Sequence, residues 1–139
     1  MLKRISFLLT VAALGGTVMC AQQSNLNLTV QRTNADNGKQ MFVNYCAPCH
    51  GVDGRGNGPM VAALRTTPVD LTVLSRNHQG EFPAKHLIAV LQFGVETSAH
   101  GSKAMPVWGP TFNGMDKDRE LTSLRISNIV HYVQTLQAK

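Results

Sequence analysis

Apolar residues recur three and four positions apart in three stretches of the chain, the spacing that places side chains on one face of an α-helix. The predicted helices are Asn34–Cys46, Glu81–Phe93 and Asp116–Gln137. In the last of these, the predicted buried stripe comprises Leu121, Leu124, Ile129, Tyr132, Val133 and Leu136. Strong alternating patterns typical of strands are absent. The sequence therefore predicts an all-α domain of three to five helices with long loops.

Local signals set the ends of these helices and the segments between them. Asn34 or Thr33 is the expected N-cap residue of the first helix. Pro83 suits the first turn of the second helix, and Gly94 is placed to end it. The predicted connections are a glycine-rich loop at Gly51–Pro59, a short helix at Met60–Leu64, an extended segment at Thr66–Leu71 and a long ordered loop at Val95–Gly114.

The N-terminus has the layout of a secretory signal. Met1–Arg4 is basic, Ile5–Leu14 is almost entirely apolar, and small residues follow. The predicted organisation is a signal peptide at 1–21, a flexible leader at 22–33 and one domain at 34–139. The apolar run is short for a transmembrane helix, and an uncleaved anchor is the alternative.

Cys20 stands where the lipid-modified cysteine of a bacterial lipoprotein would stand. That processing prefers Gly, Ala or Ser before the cysteine, whereas this chain has Met19. Two outcomes stay open: lipidation tethers the protein to a membrane, or Cys20 leaves with the signal peptide.

The chain carries the pattern of a covalent c-type haem attachment site. Cys46 and Cys49 are separated by Ala47 and Pro48, and His50 follows at once. Each thiol can add to one haem vinyl group, so the two sulfurs must reach one edge of the porphyrin. His50 then lies under the iron as an axial ligand. We expect one haem c held by Cys46, Cys49 and His50.

Three other sites use cysteines this close together. A zinc site needs two more ligands at short spacing, but Cys20 is the only other cysteine and the remaining histidines form no close pair. A thioredoxin-like redox pair needs a βαβ pattern, which is not seen. A plain disulfide leaves His50 without a role.

The charge balance bears on partners. The formal net charge is +5 at pH 7, and two of the cations, Lys3 and Arg4, belong to the predicted signal. This modest balance, without a basic run, argues against nucleic acid as a partner.

The second axial position on the iron decides between electron transfer and ligand binding. Met105 lies far enough after His50 to return over the opposite haem face, and Pro106 stiffens its loop. Trp108 is placed to cover the haem or to donate a hydrogen bond to it. His100 is the rival ligand. The other methionines that follow the signal are Met41, Met60 and Met115.

Over roughly 34–137 the chain resembles the class I c-type cytochromes, the small soluble monohaem cytochrome c family. The attachment motif Cys46–Gly51, the pair Met105–Pro106 and a final helix with Tyr132 carry the resemblance. The family implies a cytochrome c fold around one covalent haem, in which the first and last helices cross. The residues expected at that crossing are Gly38, Phe42, Ile129, Tyr132 and Val133.

We therefore expect a periplasmic one-electron carrier rather than an enzyme, with His50 and Met105 as axial ligands. Its expected partners are redox proteins such as a periplasmic dehydrogenase, an oxidase or a respiratory complex. Lys103, Lys85 and Arg55 are candidates for a docking patch. One alternative is a cytochrome subunit or tethered lipoprotein of such a complex. The other is a haem gas sensor with an open sixth site.

Overall fold

The computed structural model describes residues 32–94 and 105–138. Within these ranges the chain is helical and forms no strand, so the all-α prediction is confirmed. The α-helices are α1 Gly38–Met41, α2 Ala47–His50, α3 Leu74–Asn77, α4 Ala84–Phe93, α5 Trp108–Asp116 and α6 Arg119–Thr135. A π-helical turn, Phe42–Cys46, joins α1 to α2, and 3₁₀ turns occupy Pro59–Ala63 and Leu71–Val73.

The first helical segment, residues 38–50, is uninterrupted from α1 through the π turn to α2. Asn37 caps it, because the side chain of Asn37 accepts a hydrogen bond of 2.9 Å from the backbone N–H of Gln40. The predicted caps, Thr33 and Asn34, are therefore wrong, and the helix begins later than expected. It also continues four residues beyond Cys46, so that His50 is helical.

The first segment crosses α6 at Gly38, as the family resemblance implied. A Cβ at Gly38 would lie 2.7 Å from the carbonyl carbon of Asn128, so only glycine permits this approach. One turn later, the rings of Phe42 and Tyr132 pack with centroids 5.2 Å apart. This crossing fixes the segment that carries the cysteines against the longest helix.

Helix α6 starts later than predicted and buries only part of the predicted stripe. Asp118 caps it by accepting from the backbone N–H groups of Glu120 and Leu121. Leu121 and Leu124 are 37% and 44% exposed, so their predicted burial is wrong. The predicted burial of Ile129 and Val133 is confirmed, and Tyr132 and Leu136 pack against the core. The buried residues of α6 are Thr122, Arg125, Ile126, Ile129, Val130 and Val133.

Arg125 is buried within a hydrogen-bonded network. Its Nε donates to Asp116 Oδ2 at 2.7 Å, and its Nη1 donates to the Thr33 carbonyl at 2.8 Å. The Nη1 group also lies 3.6 Å from the sulfur of Met41, and the guanidinium stands over the Phe112 ring. A single cation thus ties together the start of the domain, the first helical segment, α5 and α6.

Helix α5 begins within the predicted loop Val95–Gly114 and continues to Asp116, which corrects that prediction from Trp108 onward. Trp108 and Phe112 are buried on one face of α5, and α5 packs against α4 and α6. Asp116, the expected start of the last helix, ends α5, and Lys117 turns the chain in the left-handed region at φ 51°. The short helical stretch at 71–77 was also not predicted.

One apolar core joins the first segment to α4, α5 and α6. Its buried members are Met41, Phe42, Tyr45, Cys46, Ala47, Leu71, Leu91, Trp108, Phe112, Ile126, Ile129, Val130 and Val133. Met41, on the first helical segment, is fully buried in this core.

Several expectations fall outside the described residues: the signal peptide 1–21, Cys20, most of the leader, His100 and Lys103. In the described part of the chain, no helix combines the length and apolarity needed to cross a bilayer.

Candidate functional site

Cys46 and His50 stand four positions apart in the first helical segment and therefore project from the same side of it. Cys46 is 9% exposed, Cys49 is half-buried, and both are free thiols. The segment is held in place by its crossing with α6. The two cysteines and the histidine are thus presented by one rigid helical turn.

Burial raises the pKa of the Cys46 thiol to about 12, with a smaller contribution from the nearby Cys49. Such a thiol is neutral at pH 7, whereas redox-active cysteines of the thioredoxin type have lowered pKa values. The part of the chain described here also forms no strand and offers no group of three His, Cys, Asp or Glu residues able to hold a metal ion. The described residues therefore do not supply the zinc or thioredoxin alternatives.

The His50 ring is oriented by a backbone carbonyl. His50 Nδ1 lies 3.2 Å from the carbonyl oxygen of Val69. Because a carbonyl only accepts, Nδ1 carries the hydrogen and Nε2 is left with its lone pair. Burial lowers the pKa of His50, although the bond to Val69 acts in the opposite direction. Burial thus favours the neutral imidazole, the form that binds metals.

The glycine-rich loop after His50 folds back on α2. The N–H of Gly56 donates to the His50 carbonyl at 2.7 Å, and the N–H of Gly58 donates to the Cys49 carbonyl at 3.1 Å. A Cβ at Gly58 would lie 2.7 Å from the Cys49 carbonyl carbon, so a side chain does not fit there. These contacts satisfy carbonyls at the end of α2 that a helix otherwise leaves without partners.

The distal residues meet the same core as Cys46. Trp108, the first residue of α5, is 9% exposed and stacks on Phe112 with ring centroids 5.4 Å apart. Met105 is half-buried and packs against this cluster, whereas Pro106 is exposed. Cys46 and Trp108 are therefore buried members of the same apolar core, Met105 packs against that core, and His50 ends α2.

The remaining methionines have other surroundings. Met41 lies beside the Arg125 guanidinium in the core, which leaves its sulfur facing a cation. Met60 is 39% exposed on a 3₁₀ turn. Met115 lies near the end of α5, and its carbonyl accepts a hydrogen bond from Arg32.

Two groups at the site were not predicted. The Val69 carbonyl gives no signal in the sequence, because any residue supplies a backbone acceptor. The Tyr45 hydroxyl shares a hydrogen bond of 2.8 Å with the Thr33 hydroxyl, and the Tyr45 ring packs on Trp108 with ring centroids 5.4 Å apart. Its position next to Cys46 in the sequence was the available signal.

Arg125, in the core network, was also not predicted. It could have been found as a lone cation between the buried positions Thr122 and Ile126.

The family model described as cytochrome c oxidase, cbb3-type, subunit III matches residues 33–123. The chain belongs to this family. It is a class I c-type cytochrome of all-α fold that binds haem c covalently and takes part in haem-based electron transfer. Comparison with curated proteins and with solved structures finds no match. The matched range contains Cys46, Cys49, His50, Met105 and Trp108.

The described residues fit a haem c. Two free thiols share a helical turn with the His50 imidazole, and Met105 and Trp108 belong to the apolar core that also contains Cys46.

Proposed function

We propose that the protein is an exported one-electron carrier in which Cys46 and Cys49 form the thioethers of haem c. His50 and Met105 are the proposed axial ligands, and Pro106 and Trp108 stiffen and cover the distal side. The observation that carries the proposal is the placement of His50 one helical turn after Cys46, with its Nδ1 3.2 Å from the Val69 carbonyl, which leaves Nε2 for iron.

The protein residues have distinct tasks in electron transfer. Donation from Nδ1 to Val69 sets the tautomer of His50 and strengthens its Nε2 as a ligand. If Met105 holds the iron, its thioether sulfur would favour the ferrous state and raise the potential. When bound, haem c would supply an iron that changes oxidation state by one electron. If His50 and Met105 both hold the iron, little rearrangement of the protein would accompany that change.

Met105→Ala tests the ligand set. The variant should lose the weak sulfur-to-iron charge-transfer band at the red end of the oxidised spectrum, and its reduction potential should fall. Met60→Ala is the matched control, because Met60 is partly exposed and outside the core. An unchanged band in Met105→Ala would assign the sixth position to another residue, His100 being the first to examine.

A second candidate is a cytochrome subunit of an oxidase complex, and the description of the matching family favours it. A stable complex on gel filtration of native extract, with haem c and oxidase activity eluting together, would support this role. Elution near the size of the single 15.1 kDa chain would support a free carrier. Export and any membrane tether through Cys20 are part of the proposal, and fractionation of cells tests both.

A further inference from the structure

The carbonyl that orients His50 belongs to a turn that is clamped by the C-terminal end of the chain. Val69 immediately precedes Asp70, whose side chain accepts from the backbone N–H and the hydroxyl of Thr72 at 2.8 Å and 2.6 Å. The backbone from Val69 to Thr72 is therefore one capped turn. Displacement of this turn displaces the oxygen that accepts from His50.

The side chain of Gln137 forms hydrogen bonds with the backbone of Leu71, within that turn, and of Ser75, just after it. Its Nε2 donates to the carbonyl of Leu71 at 2.7 Å, and its Oε1 accepts from the N–H of Ser75 at 2.9 Å. The same Nε2 donates to the Val133 carbonyl at 3.0 Å, which anchors the amide to α6. One side chain thus connects the last helix to both ends of the 71–75 stretch.

Two backbone bonds complete the connection. The N–H of Ala138 donates to the Thr72 carbonyl at 2.8 Å, beside the clamp. On the other face, the N–H of Leu71 donates to the Gly54 carbonyl at 2.7 Å. Gly54 belongs to the loop that follows His50, so the turn is held between that loop and the end of the chain.

We propose that Gln137 is a positioning residue for the proximal ligand, acting through the Leu71 carbonyl and the capped turn to hold the Val69 oxygen at His50 Nδ1. This inference rests on the proposed ligation of iron by His50. It assigns a redox role to a residue that lies outside the matched range 33–123 and 87 positions after His50.

The test uses full-length, haem-loaded protein with ¹⁵N-labelled histidine, studied by NMR in the ferrous state. Gln137→Met removes the side-chain hydrogen bonds to Leu71 and Ser75 and keeps a side chain of similar length. Gln134→Met, the same change at an exposed position of α6, is the matched control. The readouts are the solvent exchange rate of the His50 Nδ1–H and the reduction potential.

We expect the Nδ1–H to exchange about tenfold faster in Gln137→Met than in Gln134→Met, since the bonds that fix its acceptor are lost. The potential should rise, because a weaker bond from Nδ1 makes the imidazole a weaker donor to ferric iron. Backbone amides at the centre of α6, such as that of Ile129, should exchange as in the control, which separates this effect from general destabilisation.

Gln137→Glu provides a second variant that keeps the length and the acceptor toward Ser75. Its ionised carboxylate lacks a donor for Leu71, so exchange should be as fast as in Gln137→Met. Exchange rates and potentials equal to those of Gln134→Met in both Gln137 variants would overturn the inference. A His50 Nδ1–H without a haem ring-current shift would instead overturn the ligation by His50, and this inference with it.

Discussion

Cys46, Cys49 and His50 occupy little more than one helical turn, and each depends on a different part of the fold. Cys46 is buried in the core, Cys49 is half-buried, and His50 is oriented by the Val69 carbonyl. At the scale of single residues, the proposed chemistry therefore requires two cysteines and a histidine at fixed spacing, together with one backbone carbonyl, that of Val69, as a hydrogen-bond acceptor.

Cys46→Ser should largely prevent accumulation of stable holoprotein, because one of the two proposed thioether sulfurs is lost. Cys20→Ser is the matched control, since it leaves the attachment motif unchanged. The measurement is covalent haem per polypeptide, read from haem staining after denaturing electrophoresis. Normal covalent haem in Cys46→Ser would contradict the proposed attachment.

Asp116 and Arg125 form the buried ion pair, with side chains 8% and 4% exposed. Asp116→Asn leaves the Arg125 guanidinium without its anionic partner, and loss of one member of a buried pair costs about 3 kcal/mol or more of unfolding free energy. Asp36→Asn changes an exposed carboxylate and should cost little. Urea unfolding of the three holoproteins at pH 7 gives the comparison.

The contribution of Asp116 to the free energy of unfolding should also depend on pH. The hydrogen bond from Arg125 and the positive charges of Arg125 and Arg32 hold the pKa of Asp116 below its ordinary value, although desolvation acts in the opposite direction. Its stabilisation is therefore complete above the unfolded pKa, about 3.9, and is lost as pH falls through the lower folded value. The difference in urea midpoint between wild type and Asp116→Asn should shrink from pH 7 toward pH 3. A constant difference would contradict this account.

Residue types alone were sufficient to predict a covalent haem c, because the spacing of Cys46, Cys49 and His50 is typical of c-type attachment. The partner of His50 could not be predicted in this way. The Val69 carbonyl is common to every residue type, and only the folded path of the chain brings it to Nδ1.

Among the elements, α5 shows where local signals mislead. Gly109, Pro110 and Gly114 indicate a loop by composition. Pro110 nevertheless lies in the first turn of the helix, where its missing N–H costs little. Burial of Trp108 and Phe112 against the core then outweighs the weak intrinsic propensity, because tertiary packing supplies most of a helix's stability.

The crossing of the first segment with α6 could be predicted only through the family resemblance, and Gly38 tests it. Gly38→Ala gains about 1 kcal/mol of helix propensity at most. Its Cβ would press on the backbone of Asn128, and overpacking typically costs about 1–3 kcal/mol. We expect a net loss of stability, measured as a lower thermal midpoint of the holoprotein.

Gly114→Ala is the matched control within α5, because a Cβ there meets nothing within 4 Å. It should raise the thermal midpoint slightly, since only the propensity gain remains. If both alanine variants raised the midpoint, the close approach at Gly38 would be wrong.

At the scale of the molecule, contacts distant in sequence join the two ends of the domain. Arg125 bonds Thr33 across 92 positions, and Gln137 bonds Leu71 across 66. Hydrophobic periodicity does not report such polar links, so it missed the burial of Thr122 and Arg125 in the first half of α6, whereas it correctly predicted the burial of Ile129 and Val133. The helical class was predictable because it needs only local spacing.

The family assignment gives the whole molecule a haem-based electron-transfer role. The proposed ligands narrow that role to a carrier with both axial positions closed. A molecule of this kind exchanges electrons through small, transient contacts rather than by binding a substrate at iron.

The most direct test of this account is the visible spectrum of the protein exported with c-type maturation factors, recorded oxidised, reduced, and reduced with carbon monoxide. We predict a c-type reduced spectrum, a weak methionine-sulfur band in the oxidised form and no shift with carbon monoxide at neutral pH. A clear carbon monoxide shift would contradict closed His50–Met105 ligation and would point to a haem with an open sixth position, as in a gas sensor.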